Sequence, residues 1–244
     1  MILGVIPARY GSTRFPGKAL ARLRGQTLIQ RVWDRAKTAK RLDRLIVATD
    51  DERIRDAVRS FGGEAVMTSP GLPSGTDRVW EAARETRAQV ILNIQGDEPL
   101  ITPPMIDVLV DGLLKEPEAQ MATLRFAMKG PEGYSDPNTV KVVSDQRGWA
   151  LYFSRSPVPA YRVGDVFSVA WYKHIGMYAY RRSFLEQFVS WPVSALERTE
   201  ALEQLRALER GARIKVLDSP QNTIGVDTPE DLKKVERLLV GTGS

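Results

Sequence analysis

The stretch Pro7-Ala8-Arg9-Tyr10-Gly11-Ser12-Thr13-Arg14-Phe15-Pro16-Gly17-Lys18 brings three cations and two glycines into one short segment. Glycine lets backbone approach a ligand, and Arg9, Arg14 and Lys18 can each meet an anionic oxygen, an arrangement that suits a triphosphate or pyrophosphate. A Walker A loop needs four residues between its glycines and a hydroxyl after the lysine. Here five residues separate Gly11 from Gly17, and Ala19 follows Lys18. A dinucleotide fingerprint fails as well, since the turn holds no G-x-G-x-x-G. Two acidic segments could answer the basic one: Asn93-Ile94-Gln95-Gly96-Asp97-Glu98 and Gly225-Val226-Asp227-Thr228-Pro229. A magnesium ion shared between a nucleotide and one or two carboxylates needs oxygen donors of this kind, with water in its remaining positions. Asp97 and Asp227 are therefore the candidate ligands. Each has a plainer reading, Asp97 as a turn residue beside Gly96 and Asp227 as a helix-start residue beside Thr228.

The elements that must position these residues follow from periodicity. Ile2–Pro7 reads as a strand, with the basic segment after it and an amphipathic helix over Thr27–Ala39. The alternation continues with strand Leu45–Thr49, helix Asp51–Phe61, strand Glu64–Met67, helix Asp77–Glu85 and strand Val90–Gln95. Helix Pro104–Lys115 carries Ile106, Leu109, Val110, Leu113 and Leu114 as one apolar stripe. Repeated βα units imply a mostly parallel sheet with helices on both faces. That puts the basic segment and Asp97 at the carboxyl ends of parallel strands, where such sheets bind ligands. After about residue 120 the rhythm changes. Ala122–Met128, Val140–Val143, Ala150–Phe153 and Ile175–Tyr180 read as strands of an antiparallel or mixed part. The aromatic stretch Tyr161–Lys173 reads as an irregular arm or dimer contact. Glu197–Arg210 is predicted as one helix ended by Gly211, and a last helix begins with Thr228 as N-cap and Pro229 at its first position. The 244 residues are predicted to form a single α/β domain, 1–244, with a nucleotide-binding part over roughly 1–120 and other elements over roughly 121–215.

Composition narrows the chemistry. There is no cysteine and one histidine, so thiolate metal sites, disulfides and cysteine nucleophiles are excluded. The net charge of +5 comes with basic residues interleaved with acids, as in Asp50-Asp51-Glu52-Arg53, rather than clustered with aromatics. Nucleic-acid binding is therefore not expected. No apolar run reaches membrane-spanning length, and MILGVIPARYG reads as neither leader nor anchor, so membrane insertion is not expected and a cytoplasmic location is.

Several segments, in order along the chain, carry a specific resemblance. They are Val5–Lys18, Ser74-Gly75-Thr76-Asp77-Arg78, Asn93-Ile94-Gln95-Gly96-Asp97-Glu98-Pro99 and Asp136-Pro137-Asn138-Thr139-Val140-Lys141-Val142-Val143. Tyr152–Pro157, His174–Arg181, Glu203-Gln204-Leu205-Arg206 and Gly225–Asp231 continue it. Together they resemble the 3-deoxy-manno-octulosonate (Kdo) cytidylyltransferases over essentially the whole chain. One departure is Gly71-Leu72-Pro73, where that family usually carries a histidine. Sialate cytidylyltransferases share the general form of the basic segment but lack Gln-Gly-Asp-Glu-Pro. The resemblance implies a nucleotide-diphosphosugar transferase fold, Rossmann-like, usually seen as a homodimer. It also implies magnesium-dependent transfer of CMP from CTP to Kdo for lipopolysaccharide inner-core synthesis. Under it, Arg9, Lys18 and Asp97 are catalytic. Ala8, Arg9, Arg14, Lys18, Ser74, Arg78 and Gln95 bind CTP, while Arg155, His174, Tyr178, Glu203 and Gln204 bind Kdo. Asp97 and Asp227 hold the metal. Without the resemblance, His174 reads as a satisfied core histidine and Glu203 as an i,i+3 partner of Arg206 on a solvated helix face. Other open readings are a cytidylyltransferase for sialate or 8-amino-Kdo, and a nucleotide-binding regulator. Retardation of duplex DNA in a gel at physiological salt is expected to be absent or lost as salt rises, and tight salt-resistant binding would reverse the exclusion.

Overall fold

Leu3, Val5 and Ile6 are completely buried, so the first strand has apolar side chains on both faces, as a central parallel strand requires. The computed structural model describes residues 1–11, 14–162 and 167–241. The chain divides into two compact units, Met1–Asp107 with Thr223–Ser244, and Val108–Asn222.

In the first unit, β1 (Ile2–Ala8) lies between β4 (Arg44–Thr49) and β6 (Val90–Asn93), parallel to both. The strand β5 (Ala65–Met67) pairs in parallel with β4. A short antiparallel ribbon joins β2 (Arg22–Leu23) to β3 (Gln26–Thr27). The helices α1 (Leu28–Ala36), α2 (Glu52–Ser60) and α3 (Gly75–Ala83) follow β3, β4 and β5 respectively. Side chains fix their starts. Thr27, Asp51 and Ser74 each accept a backbone N–H from the first turn, which satisfies an otherwise orphaned donor. Ser74 therefore starts α3 earlier than the expected Asp77. The helix α8 (Pro229–Gly241) begins as expected, with Thr228 Oγ1 accepting from Asp231 N and the Asp231 carboxylate accepting from Thr228 N. Its Val235 and Leu239 join Leu23, Leu28 and Val226 in one buried cluster.

The chain enters the second unit through α4 (Pro103–Lys115). Ile106, Leu109, Val110 and Leu113 are buried as the stripe predicts, but Leu114 is 45% exposed. The sheet of this unit is mixed. Its strand β7 (Met121–Met128) is antiparallel to β10 (Trp171–Arg181) and parallel to β11 (Ile214–Asp218). The strands β8 (Lys141–Ser144) and β9 (Ala150–Ser154) extend it, both pairings antiparallel. The strand β10 starts at Trp171, inside the stretch expected to be irregular, and β11 and the helix α5 (Arg182–Ser190) have no counterpart in the sequence reading. Of the expected aromatic arm, residues 163–166 lie outside the described residues. Tyr161 and Phe167 pack on Tyr134, which also meets Trp171.

The helix expected over Glu197–Arg210 is two helices, α6 (Ala195–Glu200) and α7 (Gln204–Glu209). Ala201 interrupts it in the left-handed conformation at φ 49°. The break turns Leu202 and Gln204 inward, to 6% and 3% exposure, and Gly211 ends α7 at φ 75° as expected. Arg206 does not pair with Glu203 on a wet face. It is buried against Glu197, with Nε 2.8 Å from Oε2 and Nη2 donating to Oε1 at 2.9 Å. Arg206→Met leaves that buried carboxylate without its counter-charge, keeping only the Ser194 N–H at 3.2 Å, and is expected to cost roughly 3–5 kcal/mol, while Glu197→Gln combined with Arg206→Met, which keeps that acceptor and removes the charge, recovers most of the loss. Equal melting temperatures for the single and double variants would show the pair to be hydrated.

Candidate active site

The four parallel strands of the first unit end at Ala8, Thr49, Met67 and Asn93, and the expected nucleotide-binding residues lie at these strand ends or in the segments that follow them. Gly17 adopts φ 70°, which a residue without Cβ accepts freely, and its N–H donates to Tyr10 O at 2.9 Å. This closes the basic loop and delivers Lys18 to a single 3-10 turn, Lys18–Leu20. Lys18 Nζ donates to Asp97 Oδ2 at 2.7 Å and to Asp227 Oδ1 at 3.1 Å. Arg14 Nη2 stands 3.1 Å from Asp227 Oδ2.

The backbone holds the two carboxylates beside the loop. A Cβ on Gly96 would lie 3.0 Å from Pro7 O, so a side chain here would press this turn away from the end of β1. Val226 N donates to Asp97 O at 2.8 Å, tying the acidic turns to each other. Asp227 N donates to the Asp231 carboxylate at 3.1 Å. Burial disfavours the charge on Lys18, but Asp97 first and Asp227 second outweigh it and raise the ammonium pKa above its ordinary value.

Arg9 is exposed and Ala8 is buried at the strand end. Ser12 and Thr13 of the loop lie outside the described residues. Ser74 Oγ accepts from Thr76 N and Asp77 N and donates to Asp77 Oδ2 at 2.7 Å, so it serves as the cap of α3. Arg78 is 4% exposed and links α3 to the ends of two strands, donating to Asp50 Oδ2 at 2.8 Å and to Thr68 Oγ1. Asp50 and Thr68 escape the sequence reading, although each directly follows a strand. Gln95 donates to Asn93 Oδ1 at 3.2 Å. Among the described residues no group of three or more His, Cys, Asp or Glu converges as a metal site. The Asp97–Asp227 pair is the size of donor set magnesium takes from a protein when phosphates and water supply the rest.

The second unit gathers the remaining candidates. His174 on β10 is 7% exposed, with Nε2 2.9 Å from Thr123 Oγ1 and its ring edge-on to Phe153 at 4.9 Å. Burial, assisted by Lys173, lowers its pKa to about 3 and keeps the ring neutral. Tyr178, pushed above the ordinary phenol range by burial and Glu203, donates to Gln204 Oε1 at 3.1 Å. Gln204 Nε2 is buried with no hydrogen-bond partner among the described residues.

Arg155 meets the broken helix. Its Nε donates to Glu200 O at 2.6 Å, Nη2 to Ala201 O at 3.3 Å and Nη1 to Pro137 O at 2.8 Å, while its backbone N donates to Glu200 Oε2 at 2.8 Å. A helix end frees carbonyls that need donors, and the guanidinium supplies them where α6 stops. Lys141, fully buried on β8, donates to Thr139 O at 2.6 Å, to Asp136 O at 3.0 Å and to Arg155 O, so it anchors the same loop from beneath.

Comparison with known proteins identifies the family of the chain. The cytidylyltransferase family model matches residues 3–214. A 3-deoxy-manno-octulosonate cytidylyltransferase of Syntrophotalea carbinolica is 51% identical over 98% of this chain and 99% of its own length. One from Solibacter usitatus is 51% identical over 98% of this chain and 94% of its own. The solved structure of a CMP:2-keto-3-deoxy-manno-octonic acid synthetase complexed with CTP is 43% identical, covers 98% of both chains and superposes with a TM-score of 0.92. A 4-diphosphocytidyl-2C-methyl-D-erythritol synthase from Anaerococcus prevotii, at 16% identity and TM-score 0.65 over 98% of both chains, shares the fold. With half of its residues identical to such relatives along nearly its full length, the chain belongs to the 3-deoxy-manno-octulosonate cytidylyltransferase family.

Proposed function

We propose that this chain transfers CMP from CTP to Kdo, releasing pyrophosphate and giving an activated sugar for lipopolysaccharide inner-core synthesis. The observation that carries the reading is the Lys18 ammonium held between Asp97 and Asp227 at the carboxyl edge of the parallel strands. A site that concentrates both signs of charge in this way suits a triphosphate and a divalent cation together.

In the reaction the anomeric hydroxyl of Kdo attacks the α-phosphorus of CTP, an O–P bond forms as the hydroxyl gives up its proton to water, and the P–O bond to the leaving pyrophosphate breaks. Catalysis of this kind is positioning plus charge stabilisation. Arg9, Arg14 and Lys18 meet phosphate oxygens, and Ala8, Ser74, Arg78 and Gln95 shape the nucleotide's place. Asp97 and Asp227 would hold Mg2+, which when bound neutralises phosphate charge. Carboxylate oxygens are the hard donors that magnesium takes from a protein, one or two at a time. In the other unit, the orphaned Gln204 Nε2 calls for an oxygen acceptor, which a sugar supplies. Arg155 has given one N–H from each nitrogen to carbonyls, leaving two for the sugar carboxylate. His174, Tyr178 and Glu203 complete the proposed Kdo set. No helix among the described residues is long and apolar enough to cross a membrane. A cytoplasmic homodimer is part of the proposal, its assembly measurable by light scattering.

Pyrophosphate release is expected to require CTP, Kdo and a divalent cation together. Equal rates with sialate, or turnover with ATP but not CTP, would overturn the assignment. Asp97→Asn and Asp227→Asn should each lower turnover by about 100-fold or more while the fold survives with some loss of melting temperature from the weakened Lys18 pairing, and near-normal turnover at limiting magnesium would make that carboxylate a structural residue only. Gln204→Ala should raise the Kdo KM and leave CTP affinity intact, whereas Arg155→Ala should also lower the melting temperature because it uncaps α6. His174 adds a pH dependence. Its folded pKa of about 3 lies below the ordinary 6.5, so the unfolded chain binds a proton that the native state refuses. Stability should therefore fall between pH 6.5 and 3, by up to about 1.4 kcal/mol per pH unit from this group. Denaturant titrations of wild type and His174→Asn across that window should differ in slope accordingly, and identical slopes would refute it.

A further inference from the structure

Thr123 on β7 is completely buried, and its hydroxyl faces three groups: His174 Nε2 at 2.9 Å, Met177 O at 2.9 Å and Ile175 O at 3.2 Å. The two carbonyls arrive there because β10 bulges against β7 between Ile175 and Tyr178, where the register shifts. A bulge of this sort re-aims backbone groups out of the ladder. A hydroxyl has one hydrogen. If Thr123 gave it to His174, two carbonyl oxygens would face the hydroxyl oxygen with no hydrogen between them. Given instead to a carbonyl, it leaves the hydroxyl oxygen as the acceptor for His174, which must then carry its proton on Nε2.

We infer that Thr123 is a positioning residue that locks His174 in the Nε2–H tautomer, so that bare Nδ1 presents a lone pair able to accept a sugar hydroxyl rather than donate to the sugar carboxylate. This rests on the sugar-binding reading of the second unit. The ring keeps this role across the working pH range because it stays neutral. It also divides labour within the proposed set: His174 takes an O–H from the ligand, and the guanidinium of Arg155 and the amide of Gln204 supply donors.

The chain contains a single histidine, so its two ring nitrogens give uncluttered signals. Long-range 1H–15N correlation of the 15N-histidine-labelled protein is expected to show a proton on Nε2 and a bare Nδ1, with the Nδ1 resonance moving on addition of Kdo and not of CTP. Thr123→Val should give a mixture of tautomers and raise the Kdo KM roughly three- to tenfold with CTP affinity unchanged. Thr123→Ser should restore both. A protonated Nδ1 in the wild-type protein overturns the inference, and that measurement decides even if Thr123→Val fails to fold. A single Nε2–H tautomer and unaltered KM in folded Thr123→Val also overturn it. The underlying reading fails separately: a confirmed Nε2–H tautomer together with an unchanged Kdo KM in His174→Ala removes the sugar from this site while leaving the tautomer assignment intact.

Discussion

The arrangement of the first unit depends on one ammonium shared by two carboxylates. Lys18, Asp97 and Asp227 come from three distant parts of the chain, and each is fixed by backbone rather than by its own side-chain packing. The left-handed Gly17 sets the lysine, the close approach of Gly96 to Pro7 sets Asp97, and the capped start of α8 sets Asp227. Two like charges side by side would otherwise repel, so Lys18, with Arg14 on Asp227, is what lets the carboxylates stand together. The same triad makes a concentrated electrostatic site out of a chain whose charges elsewhere are mixed.

The second unit solves a different problem. Its candidate polar groups are partly or fully buried, and carbonyls that irregular backbone exposes help to hold them: the bulge of β10 turns two toward Thr123, and the break at Ala201 turns two toward Arg155. Irregularity here is the means by which side chains are aimed. Ala201 in a left-handed conformation costs about 1–2 kcal/mol against a helical one. Burying Leu202 and Gln204 and capping α6 with a guanidinium offsets that cost.

What could be read in advance follows from this division. The alternating βα units of the first half announce themselves because parallel strands buried on both faces are continuous apolar runs, and the Thr228 cap marks the start of α8 by its chemistry, whereas the Ser74 cap of α3 goes unread behind the apolar pattern that starts later. The basic loop and both carboxylates were legible as chemistry, though the ion pairs joining them were not, since nothing local in Lys18 points to residue 227. The helix break at Ala201 was invisible, because Ala is the strongest helix former and only tertiary packing forces it out. For the same reason Arg206 looked like a surface partner of Glu203 three residues away, whereas burial gives it to Glu197. Strand β10 began early because aromatic residues that resemble an arm also suit a pleated surface. Thr123 carried no signal at all, since its role exists only where a bulge in a neighbouring strand meets it.

The carbonyl of Asp97 receives its hydrogen bond from Val226, and Asp227 follows at once. The first unit thus folds around a charged centre whose members are drawn from segments up to 209 residues apart. Without the segment that carries Val226 and Asp227, Lys18 would keep one carboxylate instead of two, and the turn bearing Asp97 would lack its backbone partner. The charged centre therefore depends on closing a long loop, which local folding of the βα units cannot do by itself.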